Sequence, residues 1–287
     1  MATDEALPSE LDEFRGESFQ RGHVAADADV ELTGLVFVLD AQEQLPSVQR
    51  LRDWALSAIA PSPGEVAVDV GCGTGAEVRR LAGLVRPDGR AVGVEPHPGL
   101  RGVATERSAG LGAEFVDGDA AALPFDDGSV DVLRCERVFQ HLPDPAGSAR
   151  EIARVLRPGG RAVVIDSDWA SVVSRPGDPD VLRRYNEAMW RRMPNPFAGR
   201  DLRGQLQHAG LVVDPDIGST AVVFPDAFLA NPVMLRINSD LAVEEGAITR
   251  PEADRLVAEF VAAAAKGEAF LAVTMFAVVA RAPAQAT

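Results

Sequence analysis

Short apolar runs alternate with helical patterns through the middle of the chain. Residues 66–70 form an apolar run that is typical of a buried strand, and residues 76–84 follow with apolar side chains at helical spacing. Further helices are predicted at 97–109 and 145–156. The predicted strands are 66–70, 91–95, 113–117, 130–135 and 161–166. Strands separated by helices predict an α/β fold with a parallel, doubly wound sheet.

The N-terminal segment carries weaker patterns. Residues 1–16 are acidic and without periodicity, and we expect a frayed end there. An apolar patch at 32–39 has no assigned structure, whereas residues 46–59 have the spacing of a helix. We therefore expect residues 1–60 to form a tail and a helical cover, and residues 61–287 to form the main domain. The cover either lies over a ligand cleft or packs on the sheet.

Beyond residue 166 the alternation loosens. Prolines surround a helical pattern within residues 167–198, which we interpret as an inserted cap. A second, helical insertion is predicted at 225–266. The remaining predicted elements are a helix at 201–209, a strand-like segment at 211–224 with a break near Pro215, and a last strand at 270–280.

The charge balance excludes several classes of partner. The chain has 28 basic and 43 acidic side chains, which give a formal net charge of −15. Nucleic-acid binding depends on clustered Lys and Arg, so no nucleic-acid partner is expected, and an anionic membrane surface is disfavoured for the same reason. The sequence contains no run of 18 apolar residues, so no transmembrane helix is predicted.

Cysteine and histidine usage adds two expectations. Two cysteines, Cys72 and Cys135, in a chain whose N-terminus lacks a signal-peptide pattern predict a cytoplasmic protein without a structural disulfide. The four histidines show no Cys/His spacing pattern, so no metal site is predicted.

A glycine-rich turn follows the first predicted strand. Residues 71–75 read Gly-Cys-Gly-Thr-Gly, directly before a helical pattern. Glycine suits a turn whose backbone must approach a ligand closely, because a Cβ would stand in the way. The backbone N–H groups that begin the next helix favour a carboxylate or phosphate. A strand, a glycine loop and a helix in this order predict a nucleotide-binding turn.

The loop alone leaves two interpretations open. The spacing at residues 71–76 also fits the dinucleotide fingerprint in its Gly/Ala form, with Glu95 as the acid that would bind a ribose. Asp69 stands two residues before the first glycine, where a carboxylate would repel a pyrophosphate. It would instead suit an ammonium group, directly or through water.

Further motifs narrow the choice. Residues 69–75 read Asp-x-Gly-x-Gly-x-Gly, Glu95 ends the second strand, Asp119-Ala120 follows the third, and residues 156–160 read Leu-Arg-Pro-Gly-Gly. Over roughly residues 61–166 these motifs resemble the class I S-adenosylmethionine-dependent methyltransferases, above all the ubiquinone- and menaquinone-biosynthesis-like group that methylates small molecules. The resemblance implies a Rossmann-like sheet of seven strands, mostly parallel with an antiparallel last strand. It also implies S-adenosylmethionine as the cofactor and S-adenosylhomocysteine as the product.

The resemblance also suggests the cofactor contacts. Asp69 would favour the ammonium end, Glu95 would accept hydrogen bonds from both ribose hydroxyls, and Asp119 would accept from the adenine amino group. The Cys135 backbone would meet the methionine end, whereas Cys72 is expected to be a packing residue of the loop and not a nucleophile. The predicted cofactor-binding residues are Asp69, Gly71, Cys72, Gly73, Gly75, Glu95, Asp119, Ala120 and Cys135.

Three residues near the strand ends are candidate bases. The sulfonium is already a strong electrophile, so catalysis mostly requires positioning of the acceptor, with a base where the acceptor carries a proton. The candidates are His141, Asp166 and Asp168. Each also has a structural interpretation, in which His141 holds the turn after the fourth strand and the aspartates hold a turn or cap a helix.

The two insertions are expected to supply the acceptor pocket. Their aromatic and thioether side chains predict an apolar pocket for a hydrophobic natural-product or quinone-like small molecule. The alternative for each of them is ordinary packing within the cap. The predicted substrate-binding residues are Trp169, Trp190, Met193, Phe197 and Met234. We expect a monomer or a homodimer.

Two other functions stay open at this point. A protein with this fold could keep the cofactor and catalyse a different reaction, such as a cyclisation, in which the sulfonium acts as a bound charge. An NAD-dependent oxidoreductase is a further alternative, weakened by Asp69, Asp119 and the Arg-Pro-Gly-Gly turn. Transfer of a labelled methyl group separates methylation from the first alternative.

Overall fold

A single sheet organises residues 28–284, the part of the chain that the computed structural model describes. Its strands are β1 (Val66–Val70), β2 (Arg90–Val94), β3 (Ala113–Val116), β4 (Val130–Glu136), β5 (Leu156–Arg175), β6 (Val212–Val223) and β7 (Phe270–Arg281). They lie in the order β3-β2-β1-β4-β5-β7-β6. The strands from β3 to β5 are parallel, and β7 is antiparallel to both β5 and β6. The predicted Rossmann-like, doubly wound sheet is confirmed.

Helices flank this sheet and extend beyond it. They are α1 (Ala28–Glu43), α2 (Pro46–Ile59), α3 (Ala76–Val85), α4 (Pro98–Arg107), α5 (Pro145–Val155), α6 (Pro179–Arg192), α7 (Ala198–His208), α8 (Asp226–Ala230), α9 (Pro232–Glu244) and α10 (Arg250–Ala264). A 3-10 turn, Phe139–His141, follows β4.

Alternate residues of the strands belong to two apolar layers, one on each face of the sheet. In β1, Val68 belongs to the core on one face of the sheet and Ala67 to the core on the other. Helices α5 and α7 cover the first face, and helices α2 and α3 cover the second. Because a parallel sheet is buried on both faces, its strands read as short apolar runs. This is why β1, β2 and β4 could be located from the sequence.

The cap helices form smaller apolar clusters of their own. Ala188 of α6 packs with Ala242 of α9, and Phe260 of α10 packs with Leu229 of α8. None of the helices within residues 28–284 is long and apolar enough to cross a membrane.

The fifth strand is longer than its predicted range of 161–166. It spans Leu156–Arg175, because its antiparallel pairing with β7 continues past a bulge between Asp168 and Val173. The first insertion, predicted to begin at residue 167, therefore starts as strand, and its helix begins only at Pro179. Polar residues along this stretch broke the apolar pattern on which the prediction relied.

Other boundaries also differ from the prediction. The apolar patch at 32–39, which had no assigned structure, lies within α1, and α7 begins at Ala198 instead of residue 201. The predicted break near Pro215 is confirmed, because the pairing of β6 with β7 shifts between Val213 and Ile217. The frayed end predicted for residues 1–16 lies outside the described residues.

Candidate active site

The glycine loop between β1 and α3 has a backbone that only glycine adopts readily. Gly71, Gly73 and Gly75 have φ values of +69°, +53° and +79°. A Cβ at Gly71 would come 2.3 Å from the Val138 Cγ2 atom, and one at Gly75 would come 2.8 Å from the Phe115 ring. The loop is therefore drawn tightly against neighbouring strand ends, and its bare backbone leads into the N-terminus of α3, as a nucleotide cradle requires.

Glu95, directly after β2, fastens the glycine loop. Its Oε2 accepts the Gly73 N–H at 2.9 Å, and its Oε1 accepts the His97 N–H at 2.9 Å. Burial raises the pKa of Glu95, and the two backbone donors oppose that shift. Each carboxylate oxygen can accept a second hydrogen bond, so the predicted ribose contact is compatible with this arrangement.

The turn after β3 is fixed in a similar way. Asp119 Oδ1 accepts the Ala121 N–H at 2.9 Å, which closes a local turn and buries Ala120. A Cβ at Gly118 would come 2.7 Å from Val94 Cγ1, so this turn packs closely on β2. A carboxylate can accept several hydrogen bonds, so the predicted contact with an adenine amino group is compatible with this turn.

Asp69 is held by an arginine. Its side chain is buried, and Oδ1 accepts a hydrogen bond from Arg134 Nη1 at 3.1 Å. Burial raises the pKa of Asp69 to about 6, although the Arg134 cation opposes the shift. The predicted contact with an ammonium group stays a prediction, and the structure gives Asp69 an additional partner inside the protein.

Asp69 belongs to a buried charge cluster that the sequence analysis missed. Glu136 is its centre, because it accepts from Arg52 Nε and Nη2 at 2.8 and 2.9 Å and also pairs with Arg134. The members of the buried charge cluster are Arg52, Asp69, Glu77, Arg134, Glu136 and Arg137. Burial opposes ionisation of Glu136, yet the surrounding arginines hold its pKa well below the usual range.

Both cysteines are packing residues. Burial raises the pKa of the Cys72 thiol and of the Cys135 thiol, so neither is a thiolate near neutral pH. A Cβ at Gly93 would come 2.6 Å from Cys72 Sγ, which places that sulfur against β2. Any cofactor contact of these residues would therefore use the backbone.

The three candidate bases are all engaged by the protein. Asp166 is fully buried, and its oxygens accept the Ser167 N–H at 2.7 Å and the Gln140 N–H at 3.1 Å. Burial raises the pKa of Asp166 to about 7. Asp168 forms an ion pair with Arg200, whose Nη2 lies 2.9 Å from Oδ1.

His141 ends the 3-10 turn after β4 and is mostly buried. Its Nε2 lies 3.1 Å from Nε2 of Gln140. Burial and the Arg137 cation lower the pKa of His141 to about 4, so the ring is neutral at neutral pH. A base with so low a pKa has little driving force for removing an acceptor proton.

Three of the five predicted acceptor residues come together. Trp190 Nε1 donates to the Trp169 carbonyl oxygen at 3.0 Å, and the Trp190 and Phe197 rings meet edge to face with centroids 6.3 Å apart. Met193, half-buried, directly follows α6, and its N–H donates to the Trp190 carbonyl oxygen. Met234 lies on α9 and takes part in none of these contacts among the described residues.

Comparison with known proteins decides the family. Residues 68–164 match the family model described as a methyltransferase domain. A Streptomyces fradiae protein, described as an uncharacterized 37.1 kDa protein in transposon TN4556, is 36% identical over 250 residues, which are 86% of this chain and 71% of the relative. An uncharacterized methyltransferase from Mycobacterium sp. (strain KMS) is 31% identical over 180 residues, which are 60% of this chain and 69% of the relative. The chain belongs to the S-adenosylmethionine-dependent methyltransferases.

This methyltransferase is also similar to a demethylmenaquinone methyltransferase from Roseiflexus castenholzii (strain DSM 13941 / HLO8). The two are 36% identical over 155 residues, which are 53% of this chain and 61% of the relative. Its fold is similar to that of a SAM-dependent methyltransferase from Aquifex aeolicus, with a TM-score of 0.53, 15% identity, and coverage of 87% of this chain and 97% of the other. The predicted enzyme class and cofactor are confirmed, and they replace the dinucleotide interpretation of the loop.

The two N-terminal helices of the methyltransferase differ in what they cover. Leu39 of α1 lies over the glycine loop, where its Cδ1 would stand 3.1 Å from a Cβ at Gly73. Thr74 Oγ1 donates to Glu43 Oε1 at 3.3 Å, which ties the loop to the same helix. Helix α2 instead packs on the sheet, with Trp54 against Gly218 of β6. Packing on the sheet is therefore observed for α2, whereas α1 contacts the glycine loop, and its place over a ligand cleft stays a prediction.

The residues that the sequence analysis missed carry polar side chains inside apolar strands. Arg134 and Glu136 interrupt β4, and both are buried. Charged residues are almost never fully buried unless they are paired. The signal for a buried ion pair was Arg134 within the predicted strand 130–135 and Glu136 directly after it, although this pattern did not name the partners on α2 and α3.

Proposed function

We propose that this methyltransferase transfers a methyl group to a small, apolar or aromatic acceptor of the natural-product or quinone type. The observation that carries the proposal is the aromatic wall formed by Trp169, Trp190 and Phe197. Both indole N–H groups of this wall donate to the protein itself, to Gln140 Oε1 and to the Trp169 carbonyl oxygen. The wall therefore has no indole donor for a polar acceptor, and its aromatic surface suits an apolar one, although the Arg200 guanidinium lies over the Phe197 ring, 5.3 Å from its centroid.

The relatives add support for this class of acceptor. One of them is named as a demethylmenaquinone methyltransferase, an enzyme named for a quinone acceptor. The first two relatives described above carry no named acceptor, so the choice between quinones and other apolar molecules rests on experiment.

The cofactor-binding residues would hold S-adenosylmethionine along the carboxyl ends of β1, β2, β3 and β4. Gly71, Gly73 and Gly75 would cradle it, Glu95 would hold the ribose, and Asp119 with the Ala120 backbone would hold the adenine. Asp69 and the Cys135 backbone would face the methionine end. The cofactor supplies an electrophilic methyl group, and these residues bind and orient it while α1 excludes water.

We further propose that positioning provides most of the catalysis. Asp168 is paired with Arg200, Asp166 accepts from the backbone of β5 and of the 3-10 turn, and His141 is a weak base. None of them is a ready proton acceptor in this structure. Alignment of the acceptor with the methyl group therefore provides the larger share of the rate.

A pair of matched variants tests the acceptor class. Phe197 and Leu84 are both 40% exposed, but only Phe197 belongs to the aromatic wall. Phe197→Ser should raise KM for an alkylated hydroquinone roughly tenfold, the effect of about 1.4 kcal/mol of lost apolar contact, and leave KM for S-adenosylmethionine unchanged. Leu84→Ser should change neither. Faster methylation of glycine or ethanolamine than of any hydroquinone or phenol would contradict the proposed acceptor class.

A further inference from the structure

Gln140 lies at the centre of the 3-10 turn and links three elements of the site. Its backbone N–H donates to Asp166 Oδ2 on β5 at 3.1 Å. Its carbonyl oxygen accepts the N–H of Asn195, between α6 and α7, at 3.2 Å. The residue is 6% exposed, and its side chain reaches both Trp169 and His141. The backbone of Gln140 is therefore fixed, and its side chain has a defined direction.

The hydrogen bonds of the Gln140 side chain assign the orientation of its amide. The indole Nε1–H of Trp169 can only donate, and it lies 2.7 Å from the amide oxygen Oε1. The amide nitrogen therefore points the other way, where it lies 3.1 Å from His141 Nε2 and 3.4 Å from the Arg137 carbonyl oxygen. An amide nitrogen can only donate, so His141 Nε2 must accept.

The protonation of His141 follows from this chain of donors. A neutral imidazole carries one proton, and if Nε2 accepts a hydrogen bond the proton lies on Nδ1. The neutral form is favoured because the ring is mostly buried and lies near the Arg137 cation. The Nε2 lone pair is then occupied by Gln140, and Nδ1 carries the proton.

We propose that Gln140 is a positioning residue that holds His141 as its Nδ1–H tautomer beside the aromatic wall, with the His141 Nε2 lone pair bound by the Gln140 amide, so that the histidine does not remove a proton. The proposal rests on the proposed function for the place of the acceptor, but its protonation statement does not. While the bond from Gln140 holds, neither imidazole nitrogen has a vacant lone pair for an acceptor proton. The other end of the same amide, Oε1, accepts the hydrogen bond from Trp169 Nε1, so Gln140 couples the turn after β4 to the aromatic wall.

Nitrogen NMR of the full-length protein with ¹⁵N-labelled histidine tests the tautomer directly. The signals of His141 are assigned by their loss in His141→Asn. We expect a pyrrole-type Nδ1 and a pyridine-type Nε2 at neutral pH. The opposite pattern, with a pyrrole-type Nε2, would overturn the proposal whatever the acceptor proves to be.

The matched variants Gln140→Met and Gln205→Met test whether Gln140 causes this state. Gln205 lies on α7, and its Oε1 is buried without a hydrogen-bond partner, so its replacement removes a buried amide outside the site. Gln140→Met should convert the His141 signals to a mixture of tautomers and lower kcat by about 100-fold, the effect of a misplaced group, with KM for S-adenosylmethionine unchanged. Gln205→Met should leave the signals and kcat as they are. Unchanged His141 signals in Gln140→Met would refute the positioning role.

Discussion

Glu136→Gln should destabilise the methyltransferase strongly, because Glu136 is the anion that three arginines share, two of them buried. Arg52 donates to it at 2.8 and 2.9 Å, Arg137 Nη2 lies 3.1 Å away, and Arg134 is also paired with it. The Glu136 side chain is 4% exposed, so water cannot replace the lost charge. Removing one partner of a buried ion pair costs about 3–5 kcal/mol, because the remaining charge stays buried and uncompensated.

Glu114→Gln is the matched control for this variant. Glu114 also binds one arginine through two hydrogen bonds, from Arg90 Nε at 3.1 Å and from Nη2 at 2.7 Å. The Glu114 side chain is 49% exposed and the Arg90 side chain 58%, and such exposed pairs contribute about 0–1 kcal/mol. Urea unfolding followed by tryptophan fluorescence measures both free energies. A difference of less than about 1 kcal/mol between the variants would refute the assignment of the effect to burial.

The pH dependence of unfolding provides a second measurement on the same variant. The arginines lower the pKa of Glu136 from its ordinary value of 4.5, although burial alone would raise that pKa. A carboxyl group whose pKa is lowered by folding stabilises the protein above its ordinary pKa and loses this contribution as the pH falls. The stability curves of the wild type and Glu136→Gln should therefore approach each other below about pH 4.5. Parallel curves down to the acid transition would contradict the lowered pKa.

Three further predictions concern the cofactor loop and β5. Gly71→Ala should weaken S-adenosylhomocysteine binding by at least about 1.4 kcal/mol, since its Cβ would clash with Val138, whereas Gly83→Ala in α3, where a Cβ meets open space, should leave calorimetric affinity unchanged. Glu95→Ala should weaken the cofactor by about 1.5–3 kcal/mol in the same titration, and an equal affinity would place the ribose contact elsewhere. Burial raises the pKa of Asp166 to about 7. The free energy of unfolding of the wild type, measured with urea, should therefore rise relative to that of Asp166→Asn as the pH falls from about 8 to 5, by up to about 1–3 kcal/mol. If the difference between the two free energies of unfolding does not change with pH, the pKa of Asp166 is at its ordinary value.

The sequence predicted the fold well where the sheet is parallel. The strands β1, β2 and β4 are buried on both faces, so each appears as a short apolar run, and the glycine loop follows directly from the need for a close backbone approach. Their boundaries agree with the structure to within a residue or two. The antiparallel part was harder, because the length of β5 is set by its pairing with β7, far later in the chain, as for Val173 with Ala272.

The candidate site could also be predicted only in part. The cofactor residues lie at consecutive strand ends, so their convergence could be predicted from the topology of an open α/β sheet. The contacts of Gln140 and of the buried charge cluster join residues that are far apart in the chain, and local patterns do not encode such pairs. The cytoplasmic location, the monomer or homodimer, and the division into a cover and a main domain stay predictions.

Transfer of a labelled methyl group tests the proposed function most directly. The full-length enzyme is incubated with S-adenosylmethionine labelled at the methyl carbon and with an alkylated hydroquinone, and the organic phase is analysed by mass spectrometry. We predict one labelled methyl group on the acceptor for each S-adenosylhomocysteine formed, and no S-adenosylhomocysteine without an acceptor. Tight cofactor binding with conversion of an apolar substrate, but with no label in the product, would contradict methyl transfer and favour a reaction in which the cofactor is only bound.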